Sequence, residues 1–287
     1  KLGELAYANG NLDTARRAYA AAIDKGRHSI FVTPDDYGNL CRVQAEQGDF
    51  KAVADTLKQN RNILQSTPEG RLVAAVTQSV MHAQAGRQNE AAPAIDEASA
   101  LRAEAARTFG AQRRRHVDGA RGDPRLMLDL AGACMAGGRN DEADSIVAEV
   151  ARNAHDSESL LAKARKLYDE AGRADAGASV LSSATADVRR LNNEGVVLAQ
   201  KGDFRTAAEK LLVACEAAPY NPRIAMNAVW VILKHIDKSG MDEPMIESAH
   251  QYLTAAERQA PGHPRLADLR RSLKEIEQRY GIRRQSV

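Results

Sequence analysis

The clearest indication of the fold is the stretch LNNEGVVLAQKGDFRTAAEKLLVACEAAP, Leu191–Pro219. Apolar and small residues recur at helical spacing on both sides of the central KGDF, which is the pattern of two amphipathic helices joined by a turn. Gly202 lies where the first helix should end, because that position often needs a positive φ. Asp203 then favours the start of a second helix. The stretch therefore predicts a helical hairpin.

The same signal recurs along the chain as a glycine followed five residues later by a small residue. The pairs are Gly10/Ala15, Gly48/Val53, Gly86/Ala91, Gly138/Ala143, Gly172/Gly177 and Gly202/Ala207, and the glycines are 38, 38, 52, 34 and 30 residues apart. The small residue lets the two helices of each pair approach closely, and Asp49, Asn140 and Asp203 favour the start of the second helix. Larger apolar residues four positions later fall on the same helix face: Tyr19, Leu57, Ile95, Val147, Leu181 and Leu211.

The remaining segments predict one further helix pair and a terminal helix. Helices are expected at about 222–236 and 244–260, and an amphipathic helix at 264–280 covers the end of the stack, as a repeat array needs for solubility. The interval of 52 residues carries an insertion near 99–123, whose helix extends past Arg107 into a basic loop. The interval of 30 residues predicts that the second helix of the fifth pair loses a turn.

Composition and motifs argue against catalysis and against a metal or cofactor site. The chain of 287 residues carries a net charge of +2, so no global field favours nucleic acid or a membrane surface. Phosphate-binding loops, nucleophile motifs and paired metal-binding histidines are missing from the sequence. The three cysteines are far apart, which fits core packing and a reducing, cytoplasmic location. We expect no enzyme activity, no cofactor and no membrane insertion.

At these residues the sequence resembles the tetratricopeptide repeat (TPR) family across nearly the whole chain. The resemblance implies an all-α fold, a TPR-type α-solenoid in which about seven helix pairs form a right-handed superhelix over residues 1–263, followed by a capping helix and tail at 264–287. It also implies a concave groove that binds an extended peptide or a helix of another protein. The segments Asn221–Gly240 and Ala256–Ile282 look like the output module of bacterial response regulators that carry a TPR array behind a receiver domain. That resemblance implies a role in bacterial signalling, with the phosphorylated domain missing from this chain.

Position 6 of the first helix in each pair faces the groove in this family, and it carries Asn39, Asn193 and Asn227 here. An asparagine amide can both donate to and accept from a peptide backbone, which favours a ligand contact. The alternative is that these asparagines simply face water. The ladder is broken in the other pairs, where Thr77, Asp129 and Lys163 take the position.

Arginines occur at position 2 of three pairs, as Arg125, Arg189 and Arg223, and could bind an anion near helix N-termini. Ordinary surface charge, paired with neighbouring carboxylates, is the more economical interpretation. We nevertheless include Arg189 and Arg223 with Asn39, Asn193 and Asn227 in the predicted contact set, and Arg125 as a candidate anion contact.

A second candidate anion contact is the basic run Arg113, Arg114 and Arg115 of the insertion. A charged, solvated loop explains this run at least as well, and the scarcity of aromatic residues around it disfavours nucleic acid. Trp230, the single tryptophan, is either a groove-lining anchor or part of the packing between repeats. Two other functions stay open: a nucleic-acid-binding protein that uses the basic run, and a self-associating subunit of a pilus or secretion assembly.

Overall fold

The computed structural model describes residues 2–26, 32–112 and 123–282. These residues form fifteen helices and no strand, so the fold is all-α, in the arrangement of a helical-repeat solenoid. Several helices begin with proline in the first turn, where its missing N–H has no intrahelical partner to lose. The helices are α1 Leu2–Ala8, α2 Leu12–Gly26, α3 Pro34–Glu46, α4 Phe50–Gln59, α5 Arg61–Gln65, α6 Pro68–Gln84, α7 Gln88–Gln112, α8 Pro124–Ala136, α9 Asn140–Asn153, α10 Glu158–Glu170, α11 Ala174–Gln200, α12 Phe204–Ala217, α13 Pro222–Ser239, α14 Glu243–Gln259 and α15 Pro264–Arg279.

The turn inside each predicted pair is confirmed by the backbone. All six repeat glycines have positive φ, between 67° and 81°. At Gly48 the amide donates to the Ala45 carbonyl and the next amide donates to the Gln44 carbonyl, both at 2.9 Å. This arrangement closes the end of a helix and turns the chain back within two residues.

The starts of the second helices are confirmed in two of the three named cases. The side chains of Asp49 and Asp203 accept hydrogen bonds from the amides of Ala52 and Thr206, at 3.1 and 3.3 Å. Asn140 is different, because α9 already begins at Asn140 and the residue is therefore inside the helix rather than before it. The polar residue thus caps the second helix where it directly follows the glycine, as Asp49 and Asp203 do, whereas Arg139 stands between Gly138 and Asn140.

The helix interfaces follow the predicted spacing. Small residues at the crossing points are fully buried, and the larger apolar residues four positions later are buried as well. Gly195 illustrates how close the helices come, because a Cβ added there would lie 2.6 Å from the Leu211 Cγ. The buried residues concerned are Ala15, Val53, Ala91, Ala143 and Ala207, followed by Tyr19, Leu57, Ile95, Val147, Leu181 and Leu211.

The fifth pair departs from the expectation. Its second helix does not lose a turn; instead it continues without a break into the first helix of the sixth pair, as the 27-residue helix α11. The shortened interval removes the connecting turn, and no proline and no glycine at a positive φ interrupts residues 174–200. The insertion behaves as expected where it is described, since α7 continues past Arg107 to Gln112.

The chain divides into two compact units. Unit one comprises residues 1–147 and 163–177, and unit two comprises residues 148–162 and 178–287. In unit one, α3 packs against α2, α4 and α6, and α6 packs against α7 and α8. In unit two, α13 packs against α12, α14 and α15. The terminal helix α15 buries the predicted stripe Leu266, Leu269, Leu273 and Ile276 and exposes Arg270, Arg271 and Lys274.

Candidate functional site

In unit one, polar residues of three of the first helices, α3, α8 and α10, contact one another. The Arg42 Nε lies 2.6 Å from Asp129 Oδ2, and the Lys163 Nζ lies 2.7 Å from Asp129 Oδ1. Arg42 also donates from Nη1 to the Asn39 Oδ1 at 2.5 Å. Three of the position-6 residues, Asn39, Asp129 and Lys163, are therefore joined through Arg42 into one chain of contacts, which we call the unit-one ladder.

The charges of the unit-one ladder are largely removed from water. The side chains of Arg42 and Asp129 are only 8% and 14% exposed. Burial alone would raise the pKa of Asp129, but Arg42 and Lys163 outweigh it and hold that pKa below its ordinary value. Burial likewise opposes the charged form of Arg42, and Asp129 reverses the effect and raises the Arg42 pKa. Each charge in the ladder is thus stabilised by its neighbours.

A small cavity lies beside the unit-one ladder. Its volume is about 40 Å³, and Gly38, Cys41, Thr77 and Leu126 contribute to its lining together with Asp129. A cavity of this size holds a few water molecules at most. The unit-one ladder therefore offers few free hydrogen-bonding groups to a ligand.

In unit two, the amide side chains on the corresponding helices are exposed or partly exposed. Asn193 is exposed on α11, where the neighbouring Asn192 Nδ2 lies 3.5 Å from its Oδ1. Asn227 on α13 donates to Asn192 Oδ1 at 3.1 Å, and it accepts from Arg265 Nη1 on α15 at 2.8 Å. Three consecutive first helices are thus linked by hydrogen bonds through Asn227, and its direct partner on α11 is Asn192 rather than Asn193.

Arg265 is the electrostatic exception on this surface. Its guanidinium is half-buried against Asn227, and burial lowers its pKa with no acidic group to offset the effect. Within residues 2–26, 32–112 and 123–282, no carboxylate forms an ion pair with it. A half-buried cation that has no acidic partner is stabilised when a negatively charged group of a ligand binds beside it.

Trp230 extends the same surface by one helical turn, because it follows Asn227 by three residues on α13. The side chain is 38% exposed, and its ring meets the Phe204 ring edge-on with centroids 6.4 Å apart. Lys238 holds Phe204 from the other side, with its Nζ 5.7 Å from the ring centroid, and donates to the Gly202 carbonyl at 3.1 Å. The indole is therefore braced on one edge and open to solvent elsewhere.

We call the surface formed by Asn193, Asn227, Trp230, Lys234 and Arg265 the open face. Lys234 belongs to it because it is exposed and follows Trp230 by four residues on the same side of α13. Sequence reasoning did not single out Arg265 or Lys234. A usable signal for Arg265 was the Pro-Arg pair that starts α8, α13 and α15 alike, at 124–125, 222–223 and 264–265.

The position-2 arginines have varied surroundings. Arg189 donates from Nη2 to the His155 carbonyl at 2.7 Å, and Arg223 pairs with Asp156 at 3.1 Å. Arg125 is half-buried, and its main-chain amide donates to Asp123 Oδ1 at 3.1 Å. Arg189 and Arg223 thus bind the turn before α10, and their part in ligand binding stays a prediction. Arg113, Arg114 and Arg115 lie outside the described residues.

The turn that Arg189 and Arg223 contact is organised by Asn221. Its Oδ1 accepts from the amides of Arg223 and Ile224, both at 3.0 Å, and so caps α13. Its Nδ2 donates to the Asn153 carbonyl at 2.9 Å and to Asp156 Oδ1 at 3.0 Å. Asn221 is 3% exposed, so it locks the start of α13 against the α9–α10 turn from a buried position.

We expect Asn221→Ala to lower the free energy of unfolding by about 2 kcal/mol, because it removes a helix cap and leaves buried groups without partners. Asn221→Ser is the matched variant, because a serine retains the cap acceptor and should recover part of the loss. Urea denaturation followed by far-UV circular dichroism measures both. An alanine variant within a few tenths of a kcal/mol of wild type would contradict this role for Asn221.

The described part of the chain contains no cluster of three or more metal-binding side chains. Cys41, Cys134 and Cys215 are buried and free, and burial raises the pKa of the Cys41 and Cys134 thiols to about 12, which disfavours the reactive thiolate. Every helix in the described ranges is too short or too polar to cross a lipid bilayer.

No protein-family model matches the sequence, and no curated protein matches it either. Among solved structures, the human IFIT1 dimer with m7Gppp-AAAA is 15% identical over 93% of this chain and 68% of that chain, with a TM-score of 0.29. The TPR domain of P58(IPK) is 15% identical over 98% of both chains, with a TM-score of 0.26. Similarity this low carries no argument about partners, so the assignment of an all-α helical-repeat fold rests on the helices and turns described above.

Proposed function

We propose that this chain is a non-catalytic protein-interaction scaffold that binds an extended peptide or a helix of another protein in a concave groove. The observation that carries the proposal is the run of amide and guanidinium groups on α11, α13 and α15, which is exposed at Asn193 and partly exposed at Asn227 and Arg265. Such groups can pair with both the N–H and the C=O of a bound backbone. The predicted contact set is Asn193 and Asn227 with Arg189 and Arg223, and Asn39 on unit one.

The cellular setting belongs to the same proposal. The resemblance of Asn221–Gly240 and Ala256–Ile282 to the output modules of bacterial response regulators favours a role in cytoplasmic signalling. These segments form α13 and α15 and so supply Asn227 and Arg265 to the open face. A partner that binds there would read out the state of whatever is attached to the scaffold.

Capture from a bacterial lysate tests the groove. The wild-type chain is compared with Asn193→Ala/Asn227→Ala, and with Glu247→Ala/Gln251→Ala as a matched double variant on the exposed side of α14. We expect a protein that the wild type and the α14 variant capture equally and that the asparagine variant loses by about tenfold or more, as a loss of 1.4 kcal/mol or more implies.

Circular dichroism establishes that all three proteins are equally helical before the capture is interpreted. Equal capture by the asparagine variant would refute the groove as the binding site. Loss of capture with the α14 variant alone would move the interaction to the opposite side of the helix stack.

A further inference from the structure

The two units differ in whether the cations on their first helices have carboxylate partners. This difference determines which groups are free to bind a ligand. In unit one, Asp129 pairs with both Arg42 and Lys163, so each of these two cations has a carboxylate partner. In unit two, Arg265 has only the neutral Asn227 as its hydrogen-bonding partner on this surface. Asp237, whose pKa the Lys234 charge helps to lower, is already bound by Arg279 at 2.6 Å. The open face therefore carries an excess of positive charge.

Trp230 lies on α13 between Lys234 and the residue that contacts Arg265, which itself belongs to α15. Asn227, which holds Arg265, precedes it by three residues, and Lys234 follows it by four. Seven residues of helix span roughly 10 Å, a length that an extended peptide covers in about three residues. The surface thus alternates cation, aromatic ring and cation at a spacing that a short peptide segment can match.

We propose that the open face binds an acidic peptide segment whose large apolar side chain docks on Trp230 while flanking carboxylates pair with Arg265 and Lys234. The inference rests on the proposed function, since it specifies the ligand of the same surface. The apolar residue lies between two acidic residues about three positions apart in the peptide. The exposed amide of Asn193 lies beside this site and can pair with the backbone of the peptide.

The same surface fits a single-stranded nucleic acid less well. Binding of consecutive bases needs several aromatic rings in a row. Among the exposed large hydrophobic side chains of the described residues, Trp230 is the one aromatic. A lone ring that is braced by Phe204 suits a single apolar side chain better than a series of stacked bases.

Selection from a random-peptide phage library on the full chain tests the proposal without knowledge of the natural partner. We expect the enriched peptides to carry a tryptophan, phenylalanine, leucine or methionine with aspartate or glutamate on both sides. The leading peptide is then synthesised with a fluorophore, and its affinity is measured by anisotropy in the presence and absence of poly-uridylate as a competitor.

Three variants connect the selected peptide to the open face. Trp230→Ala should weaken its binding by about tenfold or more, as truncation of a central aromatic does in other interfaces. Arg265→Gln keeps a hydrogen-bond donor but removes the charge, and should weaken binding and reduce its dependence on salt. Arg271→Gln removes an exposed charge from another side of α15 and should leave the affinity unchanged.

The outcomes separate the inference from the proposed function. Enriched peptides without acidic residues that still depend on Asn193 and Asn227 would overturn the inference and leave the proposed function standing. Peptides whose binding none of the open-face variants affects would overturn both. Poly-uridylate that binds at Trp230 and displaces every selected peptide would also overturn the inference, in favour of a nucleic acid ligand.

Discussion

Asp129→Ala is expected to lower the free energy of unfolding of unit one by about 3 to 5 kcal/mol, the loss typical of removing one member of a buried ion pair. The substitution leaves Arg42 without its carboxylate, in a site where the Arg42 side chain is only 8% exposed. It also releases Lys163 and interrupts the contacts that join α3, α8 and α10. Urea denaturation followed by far-UV circular dichroism measures the effect.

The matched control is Asp55→Ala, which removes an exposed carboxylate from α4 and should change the stability by no more than about 0.5 kcal/mol. If the two alanine variants were equally stable, the unit-one ladder would not contribute as described. The double variant Arg42→Met/Asp129→Leu provides a further check, because replacing both charges by apolar groups of similar size should recover much of the loss.

The pH dependence of the Asp129 contribution has a defined sign. Since the folded protein holds the pKa of Asp129 below its ordinary value, ionised Asp129 stabilises the fold at pH values above the unfolded pKa of about 3.9. That contribution is lost as the pH falls from there through the lower folded value. The stability difference between wild type and Asp129→Asn should therefore be constant from pH 7 to about 5 and narrow below about 4. A difference that grows on acidification would contradict the ion-pair explanation.

The turns of the fold were predictable because their cause is local. A glycine at positive φ and an aspartate that caps the next helix act within a few residues of chain, and both left a repeated trace in the sequence. The merger of two helices into α11 was not predictable from the same signals, because it depends on the absence of a turn. The spacing of 30 residues between Gly172 and Gly202 indicated a deletion but did not reveal whether a helix or a connection had been shortened.

The candidate site was partly predictable for the same reason. Repeat numbering identified the helix face that carries Asn39, Asn193 and Asn227, yet it could not identify their partners. Asn39 binds Arg42 of its own helix, and Asn227 binds Asn192, one residue away from the position that the numbering favoured. Arg265 was not predicted because α15 was expected only to cover the end of the helix stack. The first turn of α15 also contributes Arg265 to the open face.

At Gly177 the repeat pattern favours alanine, whereas the packing favours glycine. Every other pair has alanine or valine at this position, so Gly177→Ala brings the residue into line with its equivalents and should also favour the helix. However, a Cβ at Gly177 would lie 2.4 Å from the Tyr168 Cγ and 2.7 Å from the Tyr168 Cβ.

The Tyr168 ring cannot move aside easily, because it is buried and two contacts hold it. It is 1% exposed, its hydroxyl donates to Asp144 Oδ1 at 2.7 Å, and the Arg173 guanidinium lies 5.5 Å from the ring centroid. Arg173 is itself fixed by Asp144, at 2.9 Å. The added methyl group must therefore displace the whole cluster or separate α10 from α11, and overpacking of this kind costs up to about 3 kcal/mol.

We accordingly expect Gly177→Ala to destabilise unit one by about 2 kcal/mol, because an overpacking cost of up to about 3 kcal/mol exceeds the gain of about 1 kcal/mol from helix propensity. The double variant Tyr168→Ala/Gly177→Ala separates the two effects, because alanine removes the Tyr168 ring and its Cγ and leaves only the Cβ at 2.7 Å. With the nearest atom and the ring gone, Gly177→Ala should destabilise the Tyr168→Ala variant by much less than it destabilises wild type. Urea denaturation of the four proteins gives the coupling energy between the two positions as a double-mutant cycle. A coupling energy near zero, or a Gly177→Ala variant more stable than wild type, would show that the close approach of α10 and α11 does not constrain Gly177.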